Sequence, residues 1–261
     1  MPLTNCKFTT EVINELTLLA LKITHTITEH YTSISVSHKL TLMLFSYQQL
    51  RNPYNTTTTE LTNTLCIYED QWHTHKAVLL SRIQSLLGNN EIMYARHCKI
   101  VKINSVDAIN FLNKNHLLGG VSTAVYYALV HQNQLVAVAA FSHGRAMRRL
   151  PNNKLGYELV AYASIIDVNV VGGLSRLIAQ FITDYSPGDI MTYADATFTN
   201  SANNVFLKLG FTFHSQSPAL TFIITTNTHS RIKAKSNIYN LAAHELVYTN
   251  NGNAKFVLNT L

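Results

Sequence analysis

The segment VVGGLSRLIAQFI, residues 170–182, sets Gly172 and Gly173 between an apolar run and an amphipathic one. Paired glycines let the backbone approach a ligand, and a helix starting there offers unpaired N–H groups to a pyrophosphate. A tight turn or close helix packing uses the same residues. Gly172, Gly173, Ser175 and Arg176 are therefore the candidate cofactor-binding residues. Three side chains able to move or orient a proton stand at expected element ends. His116 precedes Gly119 and Gly120, Glu158 opens YELVAYASI, and Asp195 closes TYAD. Residues at the carboxyl ends of strands converge on the crevice of an α/β sheet, so these three candidate catalytic residues, with Arg145, could form a pocket there. Each also has an ordinary role open to it, as a helix cap or an ion-pair partner.

Two further groups bear on chemistry. GRAMRRLPNNK, residues 144–154, carries Arg145, Arg148, Arg149 and Lys154, suited to a DNA phosphate backbone or to a solvated loop. Glu69 and Asp70 end the apolar run TLCIY, where they read as a metal pair or as an acidic helix start. His73 and His75 are spaced i, i+2 and face different directions on a helix. Cys6, Cys66 and Cys98 form no CxxC pair and no zinc-ligand spacing, so no metal site is expected and the thiols read as reduced.

The elements that must position these groups follow from periodicity. An amphipathic helix is predicted over 10–30, two strands over 33–47, a polar segment over 50–63, a strand over 64–70, and a helix stopped by Gly88. From residue 91 the predicted order is a strand over YARHCKIVKI, a helix that Ser105 caps, and a hairpin turned at Gln132–Gln134. The strand YELVAYASI, the Gly-led helix and the strand DIMTYAD come next. ANNVFLKLGF reads as a helix that buries Phe206 and Leu209, and ALTFIITT as the strand that closes the sheet. Mixed strands and helices with strand-to-helix crossovers define an α/β class with a mixed sheet.

Composition narrows the class. The 261 residues are 47% hydrophobic and 13% charged, with a formal charge of +6. Residues 1–90 carry six Lys and Arg against six Asp and Glu, whereas residues 91–261 carry fourteen against eight. The excess cation lies in the second part and suits a polyanionic partner. No apolar run spans a membrane and the first residues do not read as a signal peptide, so a cytoplasmic location is expected.

VVGGLSRL followed by NNVFLKLGF resembles the acyl-coenzyme A binding core of the GNAT acyltransferases. The resemblance implies that the glycine turn receives the pyrophosphate and that the last helix packs beside the pantetheine arm. The ordered blocks CIYEDQWHTHKAVLLSRIQSLLG, IMYARHCKIVKI, FLNKNHLLG, LVAVAAFSHGR, YELVAYASI, VVGGLSRL, TYAD and KLGF are similar to a phage homing-endonuclease-like family. In it a Vsr-type nuclease domain precedes a GNAT-like domain related to the DNA-modifying enzyme Mom. The resemblance implies a degenerate, restriction-endonuclease-like domain over 1–90, a GNAT-like domain over 91–226 and a family-specific tail over 227–261. Met43–Phe45 stand where the nuclease carboxylates belong and Leu50 where its His belongs, so metal-dependent cleavage is not expected. Ala161 and Ala196 stand where the second domain usually carries arginines. The implied function is a DNA-associated phage or prophage protein inactive as a nuclease. The alternatives are an acyl-CoA-dependent or Mom-like transferase, and a module binding a phage or host protein without catalysis.

Overall fold

The computed structural model describes residues 6–51, 63–148, 150–151, 154–196, 204–234 and 241–260. Its contacts divide the chain into two compact units, Met1–Leu79 with Pro218–Gly252, and Leu80–Ser217 with Asn253–Leu261.

The first unit opens with helix α1, Lys7–Leu18, which Cys6 caps and which buries Phe8, Val12 and Leu16. The helix predicted over 10–30 ends there. Ala20 adopts φ +55°, and ITHTI, β-branched at every position but His25, forms β1, Ile23–Ile27. The two strands predicted over 33–47 are an antiparallel hairpin, β2 (Thr32–Val36) and β3 (Leu40–Phe45). The short helix α2, Tyr47–Leu50, follows with a capping box at Ser46. Strand β4, Thr64–Tyr68, pairs parallel with β3 and completes the order β1-β2-β3-β4. Helix α3, Glu69–Leu87, is interrupted at His75 (φ −138°, ψ 36°) and ends at Gly88 with φ +81°. The division between the units falls inside α3, not near residue 90.

The second unit continues with β5 (Glu91–Tyr94), a 3-10 turn (Ala95–His97) and β6 (Lys99–Lys102). YARHCKIVKI is thus not one strand: the turn separates a strand that joins a two-stranded sheet from one that edges the main sheet. Helix α4, Ser105–Asn115, is capped by Asn104 in place of Ser105, the Asn104 Oδ1 accepting from the Asp107 N–H at 2.9 Å. The predicted hairpin is β7 (Val125–His131) and β8 (Gln134–Phe141), turned by Gln132 and Asn133, both at positive φ. Then come β9 (Arg145–Ala146), β10 (Leu155–Ser164), β11 (Val168–Val171), α5 (Gly173–Tyr185), β12 (Asp189–Asp195), α6 (Val205–Lys208) and β13 (Thr212–Gln216).

Residues 218–252 return to the first unit as β14 (Thr221–Thr225), β15 (Ser230–Lys233) and β16 (Glu245–Thr249), a sheet of order β15-β14-β16. ALTFIITT therefore does not close the main sheet. That role belongs to β17, Asn253–Asn259, which inserts between β12 and β13. The segment expected as a tail is shared between the two units for this reason.

The main sheet runs β13-β17-β12-β10-β8-β7-β6, with β9 also on β10. Among the described residues its only parallel pair is β10 with β12. Helix α5 covers one face, packing Leu177, Ile178 and Phe181 against Phe141, Tyr157, Leu159 and Ile190. Phe141 and Phe181 stack at 4.0 Å. Helix α4 covers the other face, Ala108, Phe111 and Leu112 meeting Tyr126, Val138, Ala140, Ala161 and Ala163.

Candidate active site

Strands β10 and β12 stay in register for only three pairs, Gly156 with Asp189, Tyr157 with Ile190 and Glu158 with Met191. Beyond that they part. On its other edge β10 carries a bulge between Leu159 and Ala161, so Val160 has no opposite residue on β8. The extra residue reverses the alternation of the strand. Tyr157 and Leu159 join the core under α5, whereas Ala161 and Ala163 join the core under α4, and Tyr162 now packs toward α5. Where the ladder ends, the Thr192 hydroxyl donates to the Leu159 carbonyl at 2.9 Å.

The parted strands line a cavity of about 480 Å³ whose wall includes Leu159–Tyr162, Thr192, Tyr193, Gly172–Ser175, His116 and Phe206. The N-terminus of α5 faces this cavity. Gly172 caps the helix at φ +75°, a left-handed conformation that favours glycine. Gly173 is required for another reason: a Cβ there would stand 2.5 Å from the Tyr162 hydroxyl oxygen. Burial, with Cys98 nearby, pushes the Tyr162 hydroxyl up to about 12, so it stays protonated as a donor.

Neither Glu158 nor Asp195 lines the cavity, but side chains paired across strands share a face, and this puts both on one side of the sheet. Arg145 pairs with Gly156, Glu158 with Met191, Tyr193 with Lys255 and Asp195 with Asn253. Arg145, Glu158, Tyr193, Asp195 and Lys255 therefore lie on the sheet face away from α5. Burial raises the Glu158 carboxyl above its usual value, and the charges of Arg145 and Lys255 pull it partly back. His116, at the end of α4, lines the cavity from the same side. Its Nδ1 accepts from the Leu118 N–H at 3.3 Å, which in the neutral ring leaves the proton on Nε2.

The other expected site residues divide. Gly172, Gly173 and Ser175 line the cavity, Ser175 donating its hydroxyl to the Gly172 carbonyl at 3.0 Å. Arg176 does not line it. Its Nη1 donates to the carbonyls of Ala95 and, at 2.8 Å, Cys98. Arg145 and Arg148 are exposed, and Lys154 Nζ donates to the Ser186 carbonyl at 3.3 Å. Arg149 and the Asn-rich stretch 197–203 lie outside the described residues. Phe206 and Leu209 are half-buried; Phe211, after the helix, is the buried aromatic. Ala161 and Ala196 are buried, so the positions where arginines were expected are packed. Sequence reasoning missed Tyr162, Thr192, Tyr193 and Val160, because a bulge leaves no mark in an unbroken apolar strand.

In the first unit Met43, Leu44 and Phe45 are buried. Glu69 and Asp70 do more than begin a helix. The Tyr47 N–H donates to Glu69 at 2.6 Å, and Asp70 takes two hydrogen bonds from Arg231, at 2.7 and 2.8 Å. Among the described residues no group of three His, Cys, Asp or Glu side chains is placed to hold a metal ion, and no helix is long and apolar enough to cross a membrane.

No family model matches the chain, and no curated protein does. Solved structures do. A Bacillus subtilis acetyltransferase in complex with CoA is 13% identical over 63% of this chain and 99% of that one, with a TM-score of 0.38. A GNAT family acetyltransferase from Elizabethkingia anophelis with acetyl-CoA bound is 9% identical over 62% and 98%, TM-score 0.37. The ribosomal-protein-S18-alanine N-acetyltransferase of Escherichia coli is 12% identical over 62% and 94%, TM-score 0.37. Neither nuclease descent nor phage origin has support in these comparisons.

Proposed function

We propose that the second unit is a GNAT-type acyltransferase that takes its acyl group from an acyl-CoA. The observation carrying this reading is the parted pair β10 and β12 with the α5 N-terminus facing the gap. Two strands that separate in the middle of a sheet leave backbone groups and a slot suited to an extended ligand. The first-turn N–H groups of α5 suit its pyrophosphate. Gly172 and Gly173 keep side chains out of that approach, and Phe206 and Leu209 supply an apolar wall for the pantetheine arm.

The chemistry is acyl transfer. An amine or hydroxyl of the acceptor attacks the thioester carbonyl, its new bond to carbon forms, the C–S bond breaks, and CoA leaves as the thiol. Glu158, raised by burial, takes the acceptor's proton. Asp195 orients the acceptor, His116 gives a hydrogen bond from Nε2, and the leaving CoA sulfur takes a proton from solvent, to which Glu158 returns its own. The bulge at Val160 offers backbone N–H to the developing oxyanion. The acceptor approaches over the face that carries Glu158, Tyr193 and Asp195, opposite α5.

Ligand-dependent melting tests this. A ligand bound only by the folded state adds about 2.7 kcal/mol at a hundred times its Kd, so acetyl-CoA is expected to raise the Tm by several degrees. Absence of any shift with acetyl-CoA or CoA at millimolar concentration overturns the reading. A second reading, DNA association, is favoured by the exposed Arg145 and Arg148 on the chain's more basic part.

A further inference from the structure

In the first unit the turn between β14 and β15 is held from two sides by one imidazole. His229 closes that turn at φ +55°, a left-handed conformation that non-glycine residues uncommonly adopt. Its Nδ1 lies 2.6 Å from the Tyr47 hydroxyl at the start of α2. Its ring stacks on that of His73 in α3, with centroids 4.1 Å apart and planes inclined by 28°. Glu69 closes the circuit: one carboxylate oxygen accepts from the Tyr47 N–H at 2.6 Å, and the other stands 3.8 Å from His73 Nε2. Four side chains thus tie together the turn, α2 and the start of α3. We propose that the His73–His229 stack is an acid-sensitive latch, which holds the β14–β15 turn at neutral pH and lets it go when both imidazoles carry a proton. The latch lies outside the acyl-CoA reading and does not rest on it.

At neutral pH the circuit is satisfied. Burial, and then the charges of Asp70 and Glu69, raise the Tyr47 hydroxyl well above its usual value despite Arg231, so it remains a donor. His229 Nδ1 is then the acceptor, and the neutral ring keeps its proton on Nε2. A first added proton has a place at His73, beside the Glu69 carboxylate. A second sets a like charge on a ring at stacking distance, in a half-buried setting where repulsion is stronger than in water.

The surrounding charges do not relieve this. Burial and the charge of His73 both lower the proton affinity of His229, and Asp70 offsets them only in part, being bound to Arg231 at 2.7 and 2.8 Å. Burial raises the Glu69 carboxyl, so acid also weakens it as a counter-charge. His229 therefore binds its proton more weakly in the folded chain than in the unfolded one. Its contribution to stability is full above pH 6.5 and is lost as pH falls through the lower folded value.

Hydrogen–deuterium exchange of the full chain, corrected for the intrinsic pH dependence of exchange, tests the latch. The reporter is the Thr226 amide in the turn, which donates to the His244 carbonyl at 2.8 Å. Between about pH 7.5 and about pH 5.5 its protection in the parent is expected to fall about tenfold. His73→Gln removes the second charge and is expected to hold that protection within about twofold over the same range. Tyr47→Phe keeps the stack but removes the donor, and is expected to lower protection by about fivefold already at neutral pH. Protection in the parent that does not change with pH overturns the proposal, as does a His73→Gln protein with the parent's pH dependence. If His73→Gln frees the turn at every pH, NMR titration of the His229 ring decides. It is expected to move up in that variant, and an unmoved titration overturns the latch.

Discussion

Glu158 shows how a single residue takes its chemistry from its surroundings. Its folded-state pKa is raised by burial, so its contribution to stability is full below the usual carboxylate value of 4.5 and is lost as pH rises through the folded value. Glu158→Gln removes the buried charge. The variant is therefore expected to gain stability relative to the parent at pH 7 and not at pH 4, measured by urea denaturation at both pH values. If Glu158 is the base, the same variant loses about a hundredfold in acetyl transfer. Asp70 depends on a direct partner. It is 2% exposed and answered by a bidentate Arg231 that lies 4.8 Å from both the Tyr68 and Tyr248 rings. Arg231→Met strands that carboxylate and is expected to cost about 3–5 kcal/mol in the urea midpoint analysis. The double variant with Asp70→Asn is expected to recover part of the loss, since the unpaired charge is gone.

Among the elements, those set by local pattern were legible and those set by distant pairing were not. The β2–β3 and β7–β8 hairpins, the helix ended by Gly88 and the Gly-led α5 follow from alternation, turn residues and apolar spacing. The overlong helix over 10–30 failed at ITHTI, whose β-branched residues favour a strand over a helix. The bulge at Val160 was illegible because YELVAYASI contains neither Gly nor Pro to mark it. Hence the glycine turn of the site was readable and the parted strands were not. Strand β17 was missed for a similar reason: NAKFVLN alternates clearly, yet nothing local says that it inserts between β12 and β13. Its burial makes that insertion testable. Phe256 is 2% exposed and packs against Phe206 and Phe213. Phe256→Ala is expected to cost about 3–5 kcal/mol by denaturant melting. An effect under 1 kcal/mol would mean that β17 does not hold this sheet together.

At the scale of the molecule, charge separates the acyltransferase reading from DNA association. The formal +6 resides in residues 91–261, so a polyanion bound there should be held by phosphate contacts that carry no sequence information. Such binding weakens steeply with salt, because each neutralised phosphate releases condensed counterions. Arg145 shares the sheet face of Glu158, and its removal would disturb that carboxyl as well. The cleaner test replaces Arg148 and Arg149 with Gln. For duplex DNA measured by fluorescence anisotropy from about 50 to 200 mM salt, two lost phosphate contacts should flatten the slope of log K against log salt by about 1.8. Affinity should fall alike for unrelated sequences. A parent protein that binds no duplex at 50 mM salt would leave the basic excess without a nucleic-acid partner. A slope unchanged in the variant would place the contacts elsewhere than Arg148 and Arg149.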